Sequence, residues 1–196
     1  MSHKLDHIVI GVADLDRAMQ QYRDLGFTVV YGGKHAAGNT HNALICLQDG
    51  TYIELLAPTG DLPASGALNF GGLLDRGQGL IGFALRSDDL EVEAERMRQQ
   101  GIAIGEIITG GRTRADGKRL EWKIGRVGDS YAPFYIEDVT PRELRVSNDP
   151  AVTTQANGIT GIEHVDMDSG TVYVQSDKAL MFEVVEGEKP VRFVVM

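Results

Sequence analysis

The sequence predicts an α+β fold: two copies of a strand–helix–strand–strand–strand (βαβββ) unit, followed by a C-terminal extension of short antiparallel strands. Three observations predict it. Laying Asp89-Leu90 on Asp14-Leu15 brings Gly101 onto Gly26 without a gap, so two helices of equal length stand at equivalent places. Each helix is preceded by one strand-like apolar run and followed by three. Residues 159–196 then alternate short apolar runs with turn signals such as Asp168-Ser169-Gly170.

The first unit opens with Leu5, Ile8, Val9, Ile10 and Val12, a largely β-branched run that reads as a strand. Alternation puts His7, Val9 and Gly11 on one face and Ile8, Ile10 and Val12 on the other. Asp14 is placed to cap a helix whose inner face is Leu15, Ala18, Met19 and Tyr22. Gly26 stops that helix. Strands are expected at 27–31, 42–47 and 51–57, with a polar glycine-rich loop from Gly32 and an Asp49-Gly50 hairpin. Residues 58–78 are rich in Gly, Pro and Ala and read as a connector, with one helical turn near Leu68 to Leu74.

The second unit repeats this order. A strand at 79–85 precedes a helix capped by Asp88 or Asp89, with Leu90, Ala94 and Met97 inward and Gly101 as its stop. Strands follow near 104–108, 120–127 and 133–139, and Glu137 in Tyr-Ile-Glu-Asp-Val falls where Glu54 stands in Tyr-Ile-Glu-Leu-Leu. Residues 140–158 read as a second connector, and strands are expected at 159–167, 171–175, 180–186 and 191–196. The expected organisation is therefore 1–57, 58–78, 79–139 and 140–196.

Composition narrows the function. A chain of 196 residues with 42% apolar content can bury a sizeable core. A net charge of −9 argues against a nucleic-acid partner, while leaving local arginines free to meet an anionic ligand. The single cysteine, Cys46, lies in an apolar run and reads as a buried hydrophobe. No stretch approaches the roughly 20 apolar residues of a membrane span, and no signal-peptide pattern is present, so a cytoplasmic protein is expected. Dinucleotide, phosphate-loop, nucleophile-elbow and paired-cysteine patterns are absent.

A few residues carry chemistry. Glu54 stands between Ile53 and Leu55, and burying a carboxylate there demands a partner: a metal, a wet pocket, or an arginine such as Arg112 or Arg86. Arg112, Arg114 and Lys118 form a basic cluster in an acidic chain, read either as a clamp for a carboxylate or phosphate or as a solvated loop. Trp122, the only tryptophan, is a stacking wall of a pocket or a core residue of the second sheet. His41 and Asn42 follow the glycine-rich loop and can present donors and acceptors to a ligand.

With these residues in view, the chain resembles the vicinal oxygen chelate superfamily and, within it, glyoxalase-like domain proteins. The resemblance rests on Leu5-Asp-His-Ile-Val-Ile-Gly-Val-Ala-Asp-Leu15, on the loop from Gly33 to Leu44, on Tyr52-Ile-Glu-Leu-Leu56, on Arg112 to Gly117 with Trp122, and on Pro133-Phe-Tyr-Ile-Glu137. Asn157 to Ile162 adds a segment with which such proteins begin a further half-unit. The resemblance implies that the paired units curl into an open, mixed-sheet cup. It also implies a divalent metal (Zn, Ni, Mn or Fe) held by residues of the first and last strands of each unit. Carried over by position, the metal ligands are His7, Glu54 and Glu137, while the fourth position falls on Gly82, which offers no ligand. His41 or His35 could substitute.

Two functions follow. One is a divalent-metal-dependent enzyme of lyase, isomerase or dioxygenase type acting on a small oxygenated, anionic metabolite. Glu137 and His41 would be its catalytic groups, and His41, Asn42, Arg112, Arg114 and Trp122 its substrate contacts. The gap at Gly82 disfavours extradiol dioxygenase and ordinary glyoxalase I chemistry. The other is a metal-free protein that binds or sequesters a small molecule in the same cup. Exposed edges of the units are compatible with a homodimer.

Overall fold

In the computed structural model of the protein, residues 4–36, 39–61, 78–114, 116–128, 133–178, 181–186 and 189–195 are described. The first unit comprises β1 (Leu5–Gly11), α1 (Leu15–Asp24), β2 (Val30–Lys34), β3 (Thr40–Cys46) and β4 (Tyr52–Pro58). The second comprises β5 (Gly79–Arg86), α2 (Leu90–Gln99), β6 (Ile108–Thr113), β7 (Arg119–Arg126) and β8 (Phe134–Asp138). Two single-turn helices, α3 (Arg142–Arg145) and α4 (Pro150–Thr153), then lead into β9 (Ile159–Asp166), β10 (Thr171–Ser176), β11 (Met181–Glu186) and β12 (Lys189–Val195). The helical turn expected near 68–74 lies outside the described residues.

Both long helices start as their sequences dictate. Asp14 accepts from the Arg17 amide at 3.0 Å, and Asp89 from the Val92 amide at 3.1 Å. Gly26 and Gly101 follow them with φ of 84° and 77°.

The two units form one eight-stranded mixed sheet in the order β2-β3-β4-β1-β5-β8-β7-β6. The paired first strands, β1 and β5, run antiparallel at its centre, and each is flanked by the parallel last strand of its own unit. The sheet curls until its edges meet. Ala36 N donates to Gly111 O at 2.7 Å, and His35 and Arg112 form an antiparallel bridge. The cup is thus nearly a barrel and closes within one chain.

The convex face carries the main core. Ile8, Ile10 and Val12 pack with the inner face of α1 and with Ile159, Val172, Val191 and Phe193 of a second sheet, ordered β11-β12-β10-β9. That sheet is antiparallel except for the parallel β10–β12 pair. Helix α2 covers the other half through Leu90, Ala94 and Met97 against Tyr135 and Ile104.

Two differences from the sequence reading share one cause. The run from Gly32 was expected to be a loop, yet Gly32, Gly33 and Lys34 belong to β2. Likewise β6 begins at Ile108 and contains Gly110 and Gly111. Glycine enters these strands because a neighbour occupies the space of a side chain. A Cβ on Gly32 would lie 2.1 Å from Asn42 Oδ1, and one on Gly110 2.4 Å from Trp122 Nε1. Gly110→Ala must therefore displace the indole, at a cost of about 1–3 kcal/mol of overpacking. Because Trp122 is the only tryptophan, its fluorescence should shift along with the lowered melting temperature. Unchanged emission and stability would show that the strand tolerates the methyl group.

Candidate functional site

The concave face encloses a cavity of about 40 Å³ lined by both units. Its polar side comes from β1, β3, β4 and the turn after β2. His7 and Glu54 face each other because β1 and β4 are parallel neighbours with Val9 opposite Glu54. His7 Nε2 lies 3.5 Å from Glu54 Oε2, and His35 Nε2 lies 3.5 Å from Glu54 Oε1. Asn42 Nδ2 donates to Glu54 Oε1 at 2.7 Å. All four side chains are at least nine-tenths buried or close to it, Glu54 being 9% exposed.

These contacts assign the protons. An ionised carboxylate only accepts, which fixes the Asn42 amide with its NH₂ toward Glu54. The same NH₂ lies 3.3 Å from His35 Nε2, so that nitrogen carries a lone pair. The ring proton of His35 then sits on Nδ1 and donates to Thr40 Oγ1 at 2.8 Å. His35 is neutral, and burial lowers its pKa. His7 is the opposite case. Burial works against its charge, but hydrogen bonds to Asp6 and Glu54 prevail and raise its pKa. Glu54 shows the complement: burial opposes its ionisation, and the His7 hydrogen bond, the electrostatic influence of both imidazoles and the Asn42 hydrogen bond together outweigh this and bring it down to about 2.

Behind His7 stands a fully buried Asp6, whose carboxylate accepts a hydrogen bond from Nδ1–H at 2.7 Å. Asp6 is paired in turn with Arg142 and Arg145, and Arg145 also donates to Asp138 and, at 2.6 Å, to Tyr52 Oη. Burial works against the Asp6 charge, but its His7 and Arg145 partners hold its pKa well below the usual carboxylate range. Strict alternation would send Asp6 to the convex face. The β1–β5 register shifts between Leu5 and His7, an irregularity that lets neighbours share one end of the cup. The His7 ring also stacks on Tyr52, with centroids 4.4 Å apart.

The structure separates the residues singled out from sequence. His7, Glu54, Asn42, Arg112 and Trp122 all line the cavity, as do His35 and Gly82. Glu137 does not. Its neighbours Phe134 and Ile136 face the cavity, so alternation turns Glu137 outward, where it accepts from the Leu90 amide at 2.7 Å and pairs with Lys123. His41 turns outward for the same reason, with Thr40 and Asn42 inward, and its ring lies 6.1 Å from that of Tyr31. Arg114 sits outside the cavity, bound to Leu144 O and Asp116. Glu54 pairs with neither Arg112 nor Arg86; the imidazoles and Asn42 compensate it instead. Sequence reasoning missed Asp6, Tyr52, Asp138 and the Arg142/Arg145 pair. The i, i+3 arginines after β8 were the available signal, since that spacing places both on one helix face.

The donor set does not fit the implied metal. The second-unit positions facing the cavity carry Gly82 and Ile136, which offer no ligand atom. His7, His35 and Glu54 do not bring three ligand atoms within 4.8 Å of one another. Ligands about 2.0–2.2 Å from one ion can be at most about 4.4 Å apart. Among the described residues the only group that meets that criterion is Asp89, Glu91 and Glu137 on the outer face, where Lys123 binds two of the three carboxylates.

Two outcomes test this electrostatic arrangement. Asp6→Asn leaves Arg142, Arg145 and the His7 proton short of an acceptor charge, and should cost about 3–5 kcal/mol in denaturant unfolding. A loss below 1 kcal/mol would contradict it. The two histidines should show opposite pH dependences. The His7 contribution is full below about pH 6.5 and is lost as pH rises through its raised folded value. That of His35, buried neutral, is lost as pH falls below about 6.5. His7→Gln should therefore destabilise more at low pH, and His35→Gln more at high pH, in paired melting curves. Parallel curves would reject the assignment.

The glyoxalase-like domain family matches residues 5–172. A hypothetical protein from Staphylococcus aureus superposes with a TM-score of 0.68 at 18% identity, covering 100% of this chain and 87% of its own. Methylmalonyl-CoA epimerase from Mycobacterium tuberculosis superposes at 0.50 with 26% identity, covering 70% of this chain and 89% of its own. A Streptomyces coelicolor methylmalonyl-CoA epimerase variant in complex with 2-nitronate-propionyl-CoA matches at 0.50 with 20% identity, over 71% and 100% of the two chains. No curated protein matches the sequence. Two βαβββ units closed into one cup, together with the family match over most of the chain, place this protein in the glyoxalase-like domain family of the vicinal oxygen chelate superfamily.

Proposed function

We propose that the protein moves a proton on a small oxygenated metabolite held in the cup, as an isomerase- or lyase-type enzyme that takes its acid and base from the protein. One observation carries the reading: two imidazoles approach the opposite oxygens of one buried carboxylate, each at 3.5 Å, at the wall of a cavity. Groups of one kind with opposite charge states in one site are how a protein supplies acid and base together. His35 Nε2 is the base. It takes the proton from a carbon next to a carbonyl, and the electron pair moves onto the carbonyl oxygen. His7 Nε2–H is the acid that meets this oxygen, and Asp6 and Glu54 keep its proton in place. Trp122, with its ring centroid 6.0 Å from that of His35, walls the cavity on the base side. The epimerase named among the structural neighbours supports proton transfer at carbon as the reaction class. The earlier metal-dependent reading loses Glu137 as a ligand, and no step here depends on one.

The test is hydrogen–deuterium exchange into pyruvate, hydroxyacetone and methylglyoxal in D₂O, followed by proton NMR. The wild type should catalyse exchange on at least one of them after chelator treatment. His35→Gln should lose about 10²–10⁴-fold of that rate, the usual share of a general base. Exchange that vanishes on chelation and returns with Mn, Zn, Ni or Fe would replace this reading with the metal-dependent one. Saturable binding without exchange would favour the sequestering role.

A further inference from the structure

Among the described residues, several of the charges around the cavity stand in ion pairs. Asp6 and Asp138 are each held by both Arg142 and Arg145, a set of two anions and two cations. Glu54 faces His7. Arg112 is 5% exposed and lines the cavity, yet it pairs with no carboxylate among the described residues. It donates to two main-chain oxygens, Gly32 O and Arg145 O. A guanidinium has five N–H donors and keeps its charge, so those two bonds leave further donors and a charge with no carboxylate at ion-pair distance, Glu54 acting on it only from farther across the cavity. Burial lowers its pKa, as it must for a cation held away from water.

The surroundings fix this cation at the wall of the cavity. Arg112 forms the β-bridge with His35, the proposed base, so the guanidinium and the base enter the cavity from adjoining strands at the seam of the cup. Both main-chain acceptors are fixed by the fold: Gly32 lies in β2, and Arg145 ends α3. The guanidinium is therefore positioned before any ligand arrives, which lowers the ordering cost of binding.

We propose that Arg112 receives the carboxylate of a small monoanionic substrate, a 2-oxo acid or its enol, and so fixes the substrate class of the site. The inference rests on the acid–base reading for the fate of the rest of the molecule. A planar carboxylate matches the guanidinium fork. Ionised Glu54 in the same cavity opposes a second negative charge, which disfavours a phosphate dianion. The volume of 40 Å³ corresponds to about three waters at the ~10–15 Å³ each requires, so the buried part of the ligand is a few atoms long. With its carboxylate on Arg112, such an acid presents the carbon beside its carbonyl to His35.

The probe is pyruvate against pyruvamide, its neutral isostere, at fixed ionic strength. Binding is read by thermal shift and by saturation-transfer NMR. Pyruvate should bind the wild type at least tenfold more tightly than pyruvamide. Arg112→Gln should abolish that preference while circular dichroism and Trp122 emission report an intact fold, and Arg112→Lys should restore part of it. Equal binding of the two compounds, no binding of either, or a preference that survives in Arg112→Gln overturns the assignment. The wild-type comparison stands even where a variant fails to fold. His35→Gln separates the two proposals. Pyruvate binding through Arg112 without any methyl exchange in the wild type would defeat the acid–base reading and leave the carboxylate site. Exchange on pyruvate with no preference over pyruvamide would do the reverse.

Discussion

A carboxylate buried in a β-sheet is the constraint around which the cup is arranged. Glu54 is 9% exposed in the middle of β4, with Ile53 and Leu55 packed into the core behind it. An isolated ionised carboxylate there would be costly by several kcal/mol. The fold compensates it locally, with Asn42 from β3, His7 from β1 and His35 from the end of β2. The compensation then propagates. A charged His7 needs its own acceptor, which is Asp6. A fully buried Asp6 needs cations, which are Arg142 and Arg145. Those arginines lie on α3, so the segment after β8 is drawn across the end of the cup, where Arg145 also binds Tyr52 and Asp138. The chain of partners runs from the cavity to the sheet's far unit, and it ties the two halves together at the site.

The halves divide the work unequally. The repeat in topology is close, with matched caps, matched helices and the same strand order. The repeat in chemistry is not. The first unit supplies the imidazoles, the carboxylate and the amide. The second supplies Arg112, Trp122 and an apolar wall that includes Phe134, Ile124 and Ile136. The lining thus mixes groups that can hold protons with apolar side chains from both units, Val9, Leu44 and Leu56 as well as Ile124, Phe134 and Ile136, among which charges act at longer range. The same division leaves the second unit without metal ligands in the cavity, since Gly82 has no side chain, Ile136 faces inward and Glu137 faces out.

The fold was legible because its signals are local. Apolar periodicity and the Asp14 and Asp89 caps marked the helices, and alternation correctly assigned His7 and Val9 to one face of β1 and Ile8 and Ile10 to the other. The glycine-rich strands were illegible because the cause of each glycine lies elsewhere in the chain, in Asn42 and Trp122. The site was half legible. His7, Glu54, Asn42, Arg112 and Trp122 were found as residue types with a chemical need. Glu137 was placed by its position in the repeat and His41 by its place after the glycine-rich loop, while the side-chain alternation of β8 and β3 turns both out. Asp6 could not be seen, because strict alternation puts it on the face opposite His7, and the irregular β1–β5 register at this point is not written in the local sequence. The arginines of α3 lay in a stretch read as a connector. A buried carboxylate in a strand reveals that partners exist, but tertiary structure decides which ones.

The central claim is that one charged and one neutral imidazole share Glu54. Long-range ¹H–¹⁵N NMR of the histidine rings near pH 6.5, the ordinary imidazole value from which the two are displaced in opposite directions, reads this directly. His7 should show two protonated nitrogens, and His35 a protonated Nδ1 with a bare Nε2. The same protonation state in both rings, or a proton on His35 Nε2, would contradict the account.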